Sequence, residues 1–278
     1  MLLRIMILIL ICLLITVGQW AGPFEKAAAA EMMIIPALGD NYIYVIQQDN
    51  HAIVIDPGDA QPVLKALDKA NLVATHILNT HHHLDHVGGN QRIKSLTGCA
   101  VIGPDDPRIP ALDTPVREGE EFTIGQLTFQ VIGVPGHTTT HLAFYVPEKQ
   151  WVFSGDSLFT GGCGRIFEGT PAQMLSSLRK LMQLPGNTLI FCGHEYTLKN
   201  LQFAASLEPD NSDIRSRLER VSMLRQKGEI TVPEILATEL KTNPFLRVDQ
   251  PELKKALKME NTTDIEVFTA IRSMKDRF

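Results

Sequence analysis

The sequence predicts an α/β protein in which a domain of mixed strands and helices is followed by a helical domain. Its 278 residues, 44% hydrophobic and 21% charged, have the composition of a folded globular protein. From Met33 onward the chain consists of short β-branched runs separated by turn residues, the pattern of a sheet. Near Leu198 this strand signal stops and helical periodicity replaces it. We therefore expect a first domain at 32–197 and a second, helical domain at 198–278.

A hydrophobic extension, residues 1–31, precedes these domains and does not enter the fold prediction. Its apolar run at 5–17 is shorter than the ~20 residues that a membrane-spanning helix needs. The run resembles the apolar region of a signal peptide, and the alanines at 28–30 suit a cleavage site. An uncleaved anchor and a mis-called start, with Met32 or Met33 as the true one, are the alternatives. Membrane association through 5–17 therefore stays open.

The strands and helices follow in order along the chain. Short apolar, β-branched runs predict strands at 33–35, 42–47, 52–55, 76–78, 101–102, 127–134, 142–145, 151–153 and 188–191. Apolar residues at helical spacing predict helices in the first domain at 62–70, 90–96 and 171–184. The second domain has predicted helices at 201–206, 213–227, 232–240 and 263–275. A capping box from Thr263 to Glu266 starts the last of them.

The charge balance and the cysteines argue against several classes of protein. With 26 Lys and Arg against 31 Asp and Glu, the net charge of -5 leaves no electrostatic footprint for nucleic acid, so we expect no nucleic-acid partner. The four cysteines lie far apart without a CxxC pair, which argues against a disulfide framework or a thiolate zinc knuckle. Unpaired thiols favour a reducing compartment. We expect the protein to be a monomer.

The stretch THHHLDHVGG, which begins at residue 80, crowds four of the nine histidines together with an aspartate. His81 and His83 are two apart, so in an extended segment they point the same way and His82 points to the other side. Asp85 and His86 lie where the chain turns towards the next helix, and they can face a second point nearby. Imidazole and carboxylate are typical zinc ligands. The stretch therefore predicts two metals, with His82 outside both sites.

Three further candidate ligands follow predicted strands in one common way: His137, Asp156 and His194 each come directly after a glycine. If those strands share a sheet, their loops converge on one rim, where binding residues commonly lie. A lone histidine there would more often be an ordinary surface or core residue, and a lone aspartate a turn former. The joint pattern of seven side chains is what predicts a metal centre.

The charges of such a centre suit hydrolysis. Two divalent cations bring about +4, and Asp85, Asp156 and a hydroxide reduce this to about +1. The remaining charge suits an anionic tetrahedral intermediate, and a metal-bound water whose pKa is lowered to about 7 is a nucleophile at neutral pH. We therefore expect Asp85 and Asp156 to be catalytic, with the metal-bound hydroxide as the nucleophile.

The H-x-H-x-D-H pattern, with Pro-Gly-His137, Gly-Asp156 and Cys-Gly-His194-Glu-Tyr-Thr, resembles the metallo-β-lactamase superfamily. More narrowly, residues 33–278 resemble its hydroxyacylglutathione hydrolase (glyoxalase II) family. The resemblance implies an αββα sandwich followed by a small all-helical C-terminal domain. It implies a first metal held by His81, His83 and His137, a second held by Asp85, His86 and His194, and Asp156 bridging the two. The two divalent metals would be zinc, with iron or manganese also accommodated.

The resemblance also implies a set of substrate contacts. The stretch 162–170, GCGRIFEGT, is similar to the family's glutathione-contacting loop. Members carry Lys or Arg at the position of Arg165 and Tyr or Phe at that of Phe167, so Phe167 would forgo one hydroxyl contact. Further implied contacts are Tyr196, Arg272 and Lys275. The last two share a helix face and would suit the two carboxylates of glutathione, although alone they would be read as a solvated basic helix end.

The implied reaction is hydrolysis of S-(2-hydroxyacyl)glutathione, especially S-D-lactoylglutathione, to glutathione and D-lactate in methylglyoxal detoxification. Thiolate is a good leaving group because a thiol has a pKa near ~8.5, so a separate Ser-His-Asp set is not needed. Glutathione chemistry favours the cytoplasm, whereas the apolar extension favours export or anchoring.

Other functions share parts of this pattern. A metallo-β-lactamase would use the same metal residues but leaves Arg272, Lys275 and the helical tail unexplained. A persulfide dioxygenase with one iron fits the tail poorly, and an acidic chain disfavours an RNA-processing phosphodiesterase. A non-catalytic, membrane-tethered binding module is a more distant alternative, because all seven candidate ligands are present.

Overall fold

The computed structural model of the chain describes residues 30–278. The signal-peptide and anchor interpretations of 5–17 therefore lie outside the described residues. Among residues 30–278, no helix is both long and apolar enough to cross a membrane. The described chain forms two facing six-stranded sheets that carry helices on their outer sides.

The first sheet contains, in spatial and chain order, β1 (Glu31–Ala37), β2 (Asn41–Gln48), β3 (His51–Ile55), β4 (Val73–Leu78), β5 (Ala100–Pro104) and β6 (Thr114–Val116). Strands β1 to β3 pair antiparallel, and β3 to β6 pair parallel. Parallel neighbours need crossover connections. These contain α1 (Ala60–Ala70), α2 (Leu84–Val87) and α3 (Asn90–Thr97).

The second sheet begins with the antiparallel strands β7 (Glu121–Ile124), β8 (Leu127–Gly133), β9 (Leu142–Val146) and β10 (Trp151–Gly155). A small hairpin, β11 (Leu158–Phe159) and β12 (Gly162–Cys163), follows, and α4 (Pro171–Leu181) then leads to β13 (Leu189–Cys192). Strand β13 lies parallel to β10, and β14 (Glu234–Ile235) pairs with its free side.

The C-terminal part consists of α5 (Thr197–Leu207), α6 (Ser212–Gln226), α7 (Leu236–Thr242), a 3-10 helix (Pro244–Leu246), α8 (Pro251–Ala256) and α9 (Asp264–Asp276). The predicted capping box at Thr263 and Glu266 is present at the start of α9. The predicted class, a mixed sandwich followed by C-terminal helices, agrees with this architecture.

Alternating side chains divide the interior into three cores. On β2, Tyr42, Tyr44 and Ile46 face the second sheet and fill the space between the sheets. Ile43 and Val45 point the other way, into a core covered by α1 and α3. The third core lies outside the second sheet, where α4 packs with α9 and other C-terminal helices. The C-terminal helices therefore share their core with the sandwich.

The structure corrects the predicted helix at 232–240. Residues 234–235 extend the second sheet as β14, and the helix begins only at Leu236. The prediction that strands stop near Leu198 is therefore wrong by this one short strand. A two-residue strand has no periodicity of its own, and its pairing with β13 is decided by where the sheet edge lies. The strands β6, β7, β11 and β12 and the helices α2 and α8 were not predicted either, because each has only two to six residues and shows little periodicity.

Phe268 of α9 is fully buried in the core that the sandwich and the C-terminal helices share. We expect Phe268→Ala to lower the free energy of unfolding by about 3–5 kcal/mol, because it leaves a cavity there. Fluorescence of Trp151 and far-UV circular dichroism should still report one common transition. Phe278→Ala, at a half-exposed ring, is the matched control and should cost little. Two separate transitions would contradict a shared core.

Candidate active site

The predicted metal side chains meet at one edge of the sandwich, beyond the ends of four strands. Ring nitrogens of His81, His83 and His137 lie within 4.8 Å of one another. The ligand atoms of a second group, drawn from Asp85, His86 and His194, are equally close. The structure therefore brings together both predicted groups, from loops after β4, β8 and β13 and from α2.

Asp156, directly after β10, contacts both groups through one carboxylate. Its Oδ2 lies 3.4 Å from His137 Nε2 in the first group and 3.2 Å from His194 Nε2 in the second. Its Oδ1 lies 3.4 Å from His86 Nε2. The position of Asp156 between the two groups is the one that a bridging carboxylate needs.

Buried polar atoms of this centre have no partner within the protein. Among the described residues, His81 Nε2, His86 Nε2 and Asp156 Oδ1 are buried without a hydrogen-bond partner. Each such atom costs about 1–3 kcal/mol unless something binds it. Imidazole nitrogens and carboxylate oxygens that converge in this way fit two divalent metal ions.

The outward-facing ring nitrogens are fixed by further hydrogen bonds. His137 Nδ1 donates to Arg165 O at 2.7 Å, and His194 Nδ1 lies 2.9 Å from Asp40 Oδ1. His86 Nδ1 lies 3.0 Å from Asp56 Oδ2. Such partners select the tautomer and aim the other nitrogen inward, and losing one typically weakens metal binding about 10–100-fold.

Sequence reasoning did not identify Asp56 or His141 as partners of the metal-centre residues. Asp56 accepts from the N–H and the hydroxyl of Thr80 at 2.8 and 2.6 Å, as well as facing His86. Asp56 directly follows β3, in an Ile-Asp-Pro-Gly turn. It is thus a fifth acid or histidine just after a strand, and this position could have identified it from the sequence. His141 stacks on His81 and accepts from the Asp156 N–H at 3.1 Å, so it positions that aspartate rather than facing the centre.

The protonation states follow from burial and from the carboxylates. Burial lowers the pKa of His83 to about 4 and holds the pKa of His81 well below its ordinary value, so both rings are in the neutral form that binds metal. Burial opposes ionisation of Asp156, but His86 and His194 outweigh it and hold the Asp156 pKa well below its usual range. The carboxylates in turn raise the pKa of His86 well above its ordinary value and that of His194 to about 10, so a bound cation would take the place of the protons on these two rings.

One cavity of about 500 Å³ connects this centre to the predicted substrate contacts. Its lining includes all five of them, namely Arg165, Phe167, Tyr196, Arg272 and Lys275. It also includes the metal-centre residues His83, Asp85, His137, Asp156 and His194. Two aromatic rings lie between the metal-centre residues and the cationic side chains of the cavity. The ring of Tyr196 is parallel to that of His194, with 4.8 Å between centroids, and the centroid of Phe167 lies 5.2 Å from that of His137.

The two predicted cations of α9 differ in their surroundings. Arg272 is 7% exposed and donates to Cys163 O at 2.8 Å and to Asp276 Oδ1 at 3.1 Å, so much of its guanidinium holds the 162–170 loop. Lys275 Nζ donates only to Lys199 O at 3.2 Å among the described residues, and burial lowers its pKa to about 8. Lys275 is therefore the freer of the two to meet an anion.

Lys199 and Asn200 also line the cavity and were not predicted. Lys199 lies in the first turn of α5, three residues after Tyr196, which is the N-cap residue of that helix. The spacing was the available signal for Lys199. Asn200 donates to Thr160 O at 3.1 Å and so ties α5 to the β11–β12 hairpin.

The chain is similar in sequence and architecture to known proteins. The family model described as the metallo-beta-lactamase superfamily matches residues 37–194, and the model described as the hydroxyacylglutathione hydrolase C-terminus matches residues 195–278. A Methylococcus capsulatus protein named hydroxyacylglutathione hydrolase is 47% identical over 252 residues, which cover 89% of this chain and 98% of that protein.

Solved structures agree at the level of the fold. The BLEG-1 B3 metallo-beta-lactamase has a TM-score of 0.61 at 24% identity and covers 78% of this chain and 99% of its own. A protein solved in a di-iron-bound form has a TM-score of 0.57 at 27% identity, covering 78% of this chain and 100% of its own.

Gly193 offers a test of the metal centre that leaves every candidate ligand in place. A Cβ there would collide with Asp156 Oδ1 and lie 2.7 Å from His86 Cε1. We expect Gly193→Ala to weaken metal binding at least about tenfold, the scale of a misaligned ligand. Elemental analysis after dialysis would measure it. Gly186→Ala, whose Cβ would meet only Ala237 Cβ at 3.6 Å, is the control. Full metal content in Gly193→Ala would contradict the assignment.

Proposed function

The chain belongs to the hydroxyacylglutathione hydrolases of the metallo-β-lactamase superfamily, and on that premise we propose that it hydrolyses S-(2-hydroxyacyl)glutathione thioesters. The preferred substrate is S-D-lactoylglutathione, which gives glutathione and D-lactate. One observation carries this proposal beyond the family: a single cavity joins the metal-centre residues to a wall of cationic side chains. Such a cavity suits a thioester at one end and the carboxylates of glutathione at the other.

The residues of the centre divide the work of holding two metals. We assign one metal to His81, His83 and His137, the other to Asp85, His86 and His194, and a bridging role to Asp156. When bound, the metals would supply an activated water at neutral pH and positive charge beside the thioester oxygen.

The surroundings of these ligands serve to keep them in place. Asp56 and Asp40 hold the rings of His86 and His194, and His141 holds the backbone of Asp156. Rings that cannot turn keep their nitrogens aimed at the centre, so little reorganisation is needed when substrate arrives.

The cavity wall would bind glutathione by charge and by stacking. Lys275, Arg165 and Lys199 face the space where its carboxylates would lie, and Tyr196 and Phe167 flank the path to the metals. Phe167 has no hydroxyl, so it would contact the substrate through its ring alone. The departing thiolate is stable enough at neutral pH to leave without a dedicated acid.

Four finer assignments belong to this proposal. The metals are zinc, with iron or manganese as alternatives that elemental analysis would distinguish. The protein is a monomer, which sedimentation would test. The unpaired Cys99, Cys163 and Cys192 and a glutathione substrate favour the cytoplasmic side of the membrane, which cell fractionation would test. The division into 32–197 and 198–278 assigns the metals to the first domain and part of glutathione binding to the second.

Thiol release from S-D-lactoylglutathione by the metal-loaded protein is the direct test. We expect fast release, and a loss of more than about 100-fold in Asp85→Ala, because even an outer partner of a metal ligand costs 10–100-fold. A chromogenic β-lactam assayed in parallel should not be hydrolysed. Protein with two metals bound that releases no thiol would refute the proposal, and β-lactam hydrolysis would then favour a metallo-β-lactamase.

The lowered pKa of Lys275 predicts a pH dependence of substrate binding. Its ammonium is charged below its pKa of about 8 and neutral above it. The KM for S-D-lactoylglutathione should therefore rise as the pH increases through 8, while kcat changes less. Lys275→Arg stays charged and should flatten the rise. Lys275→Gln removes the titration of this side chain, so any rise in KM that remains would come from ionisation of the substrate. Identical KM profiles in wild type and Lys275→Gln would contradict the role of Lys275.

A further inference from the structure

We propose that Arg108 and Glu168 are positioning residues that hold the 162–170 loop in register with the loop of His137. This inference rests on the proposed function, because the loop carries Arg165 and Phe167. We name the side chains of Asp106, Arg108 and Glu168 the carboxylate tether. The carboxylate tether thereby keeps Arg165 and Phe167 at a fixed distance and orientation from the metal centre.

Arg108 joins two carboxylates that come from different parts of the chain. Its Nη2 and Nε donate to the two oxygens of Asp106 at 2.7 and 2.9 Å, a bidentate pair. Its Nη1 donates to Glu168 Oε1 at 2.6 Å, across 60 residues of sequence. A planar guanidinium can make such contacts in two directions at once, which a lysine ammonium cannot match.

Glu168 passes the connection on to the loop that follows His137. Its Oε2 accepts from the N–H of Thr139 at 2.9 Å and from the Thr139 hydroxyl at 3.0 Å. Asp106 accepts from the hydroxyl of Thr140 at 2.8 Å. The tether therefore attaches at both carboxylates to the segment that carries His137.

The third segment in contact with the tether is the histidine-rich stretch itself. His82 Nδ1 lies 3.5 Å from Asp106 Oδ2, and its Nε2 lies 3.6 Å from Glu168 Oε1. The two ring nitrogens of His82 thus each face one carboxylate, while His81 and His83 face the metal centre. This gives a role to the middle histidine, which the metal assignment leaves out.

The backbone attaches the loop unevenly. At its ends, Gly169 N donates to Gly136 O at 3.0 Å and Arg165 O accepts from His137 Nδ1 at 2.7 Å. Between these points, Phe167 N and Glu168 N donate to His137 O at 3.3 and 3.4 Å, both longer than an ordinary hydrogen bond. Phe167 is 61% exposed, so packing does little to fix it. The hydrogen bond from Arg108 lowers the pKa of Glu168 to about 2, so the ion pair is intact throughout the working pH range.

The test compares Arg108→Gln, Glu168→Gln and the double variant with wild type. The control is Arg117→Gln, which removes an exposed partner of the neighbouring Asp105. We expect each tether variant to raise the KM for S-D-lactoylglutathione about fivefold, the scale of one ion pair, with kcat changing less. The double variant should lose no more than either single one, because the two residues act as a unit.

Hydrogen exchange supplies a reading that does not depend on activity. Amides of 162–170 should exchange faster in the tether variants and at the wild-type rate in Arg117→Gln, with metal content unchanged throughout. Unchanged exchange and KM in Arg108→Gln and Glu168→Gln would overturn the inference, as would loss of metal without a change in KM. If wild type releases no thiol, the proposed function fails, and exchange still decides whether the tether holds the loop.

Discussion

The contact of the buried Asp156 carboxylate with histidines of both groups is the interaction on which the rest of this structure depends. A carboxylate this deep is costly unless cations surround it. The fold meets that cost by bringing five imidazoles to the same rim from three strand ends and one helical turn. Gly164 and Gly193 leave space for Asp156, because a Cβ at either position would collide with it.

The substrate side is stabilised by the same core that completes the fold. The C-terminal helices share a hydrophobic core with the second sheet, and their polar side chains reach into the β11–β12 hairpin and the 162–170 loop. Asn243 donates to Gly162 O at 2.9 Å, Arg272 donates to Cys163 O, and the buried Glu239 accepts from Gly161 N–H at 2.8 Å. These hydrogen bonds attach the cavity wall to helices that pack on the sandwich. Rigid support on both sides is what a positioned thioester requires.

Charge is distributed unevenly over this one cavity. Its lining holds the carboxylates of Asp85 and Asp156 beside the histidines and also gathers the cationic side chains Arg165, Lys199 and Lys275. Burial, and after it the charges of Arg272 and Lys199, lowers the pKa of Lys275 to about 8, so its ammonium is held in unfavourable surroundings. An anionic ligand would relieve the repulsion between these cations. The same reasoning explains why Arg108, between two carboxylates, can hold a loop that packing leaves exposed.

The sequence by itself determined the strand-end positions of His137, Asp156 and His194 and the alternation in the histidine-rich stretch, because both depend on local period and local turns. Resemblance added five predicted substrate contacts, and these residues line one cavity. Only the tertiary structure decided that 234–235 complete a sheet, that Asp56 holds His86, and that Arg108 meets Glu168. Those partners lie far apart in the chain, and no local pattern encodes a pairing that forms only when separate elements pack.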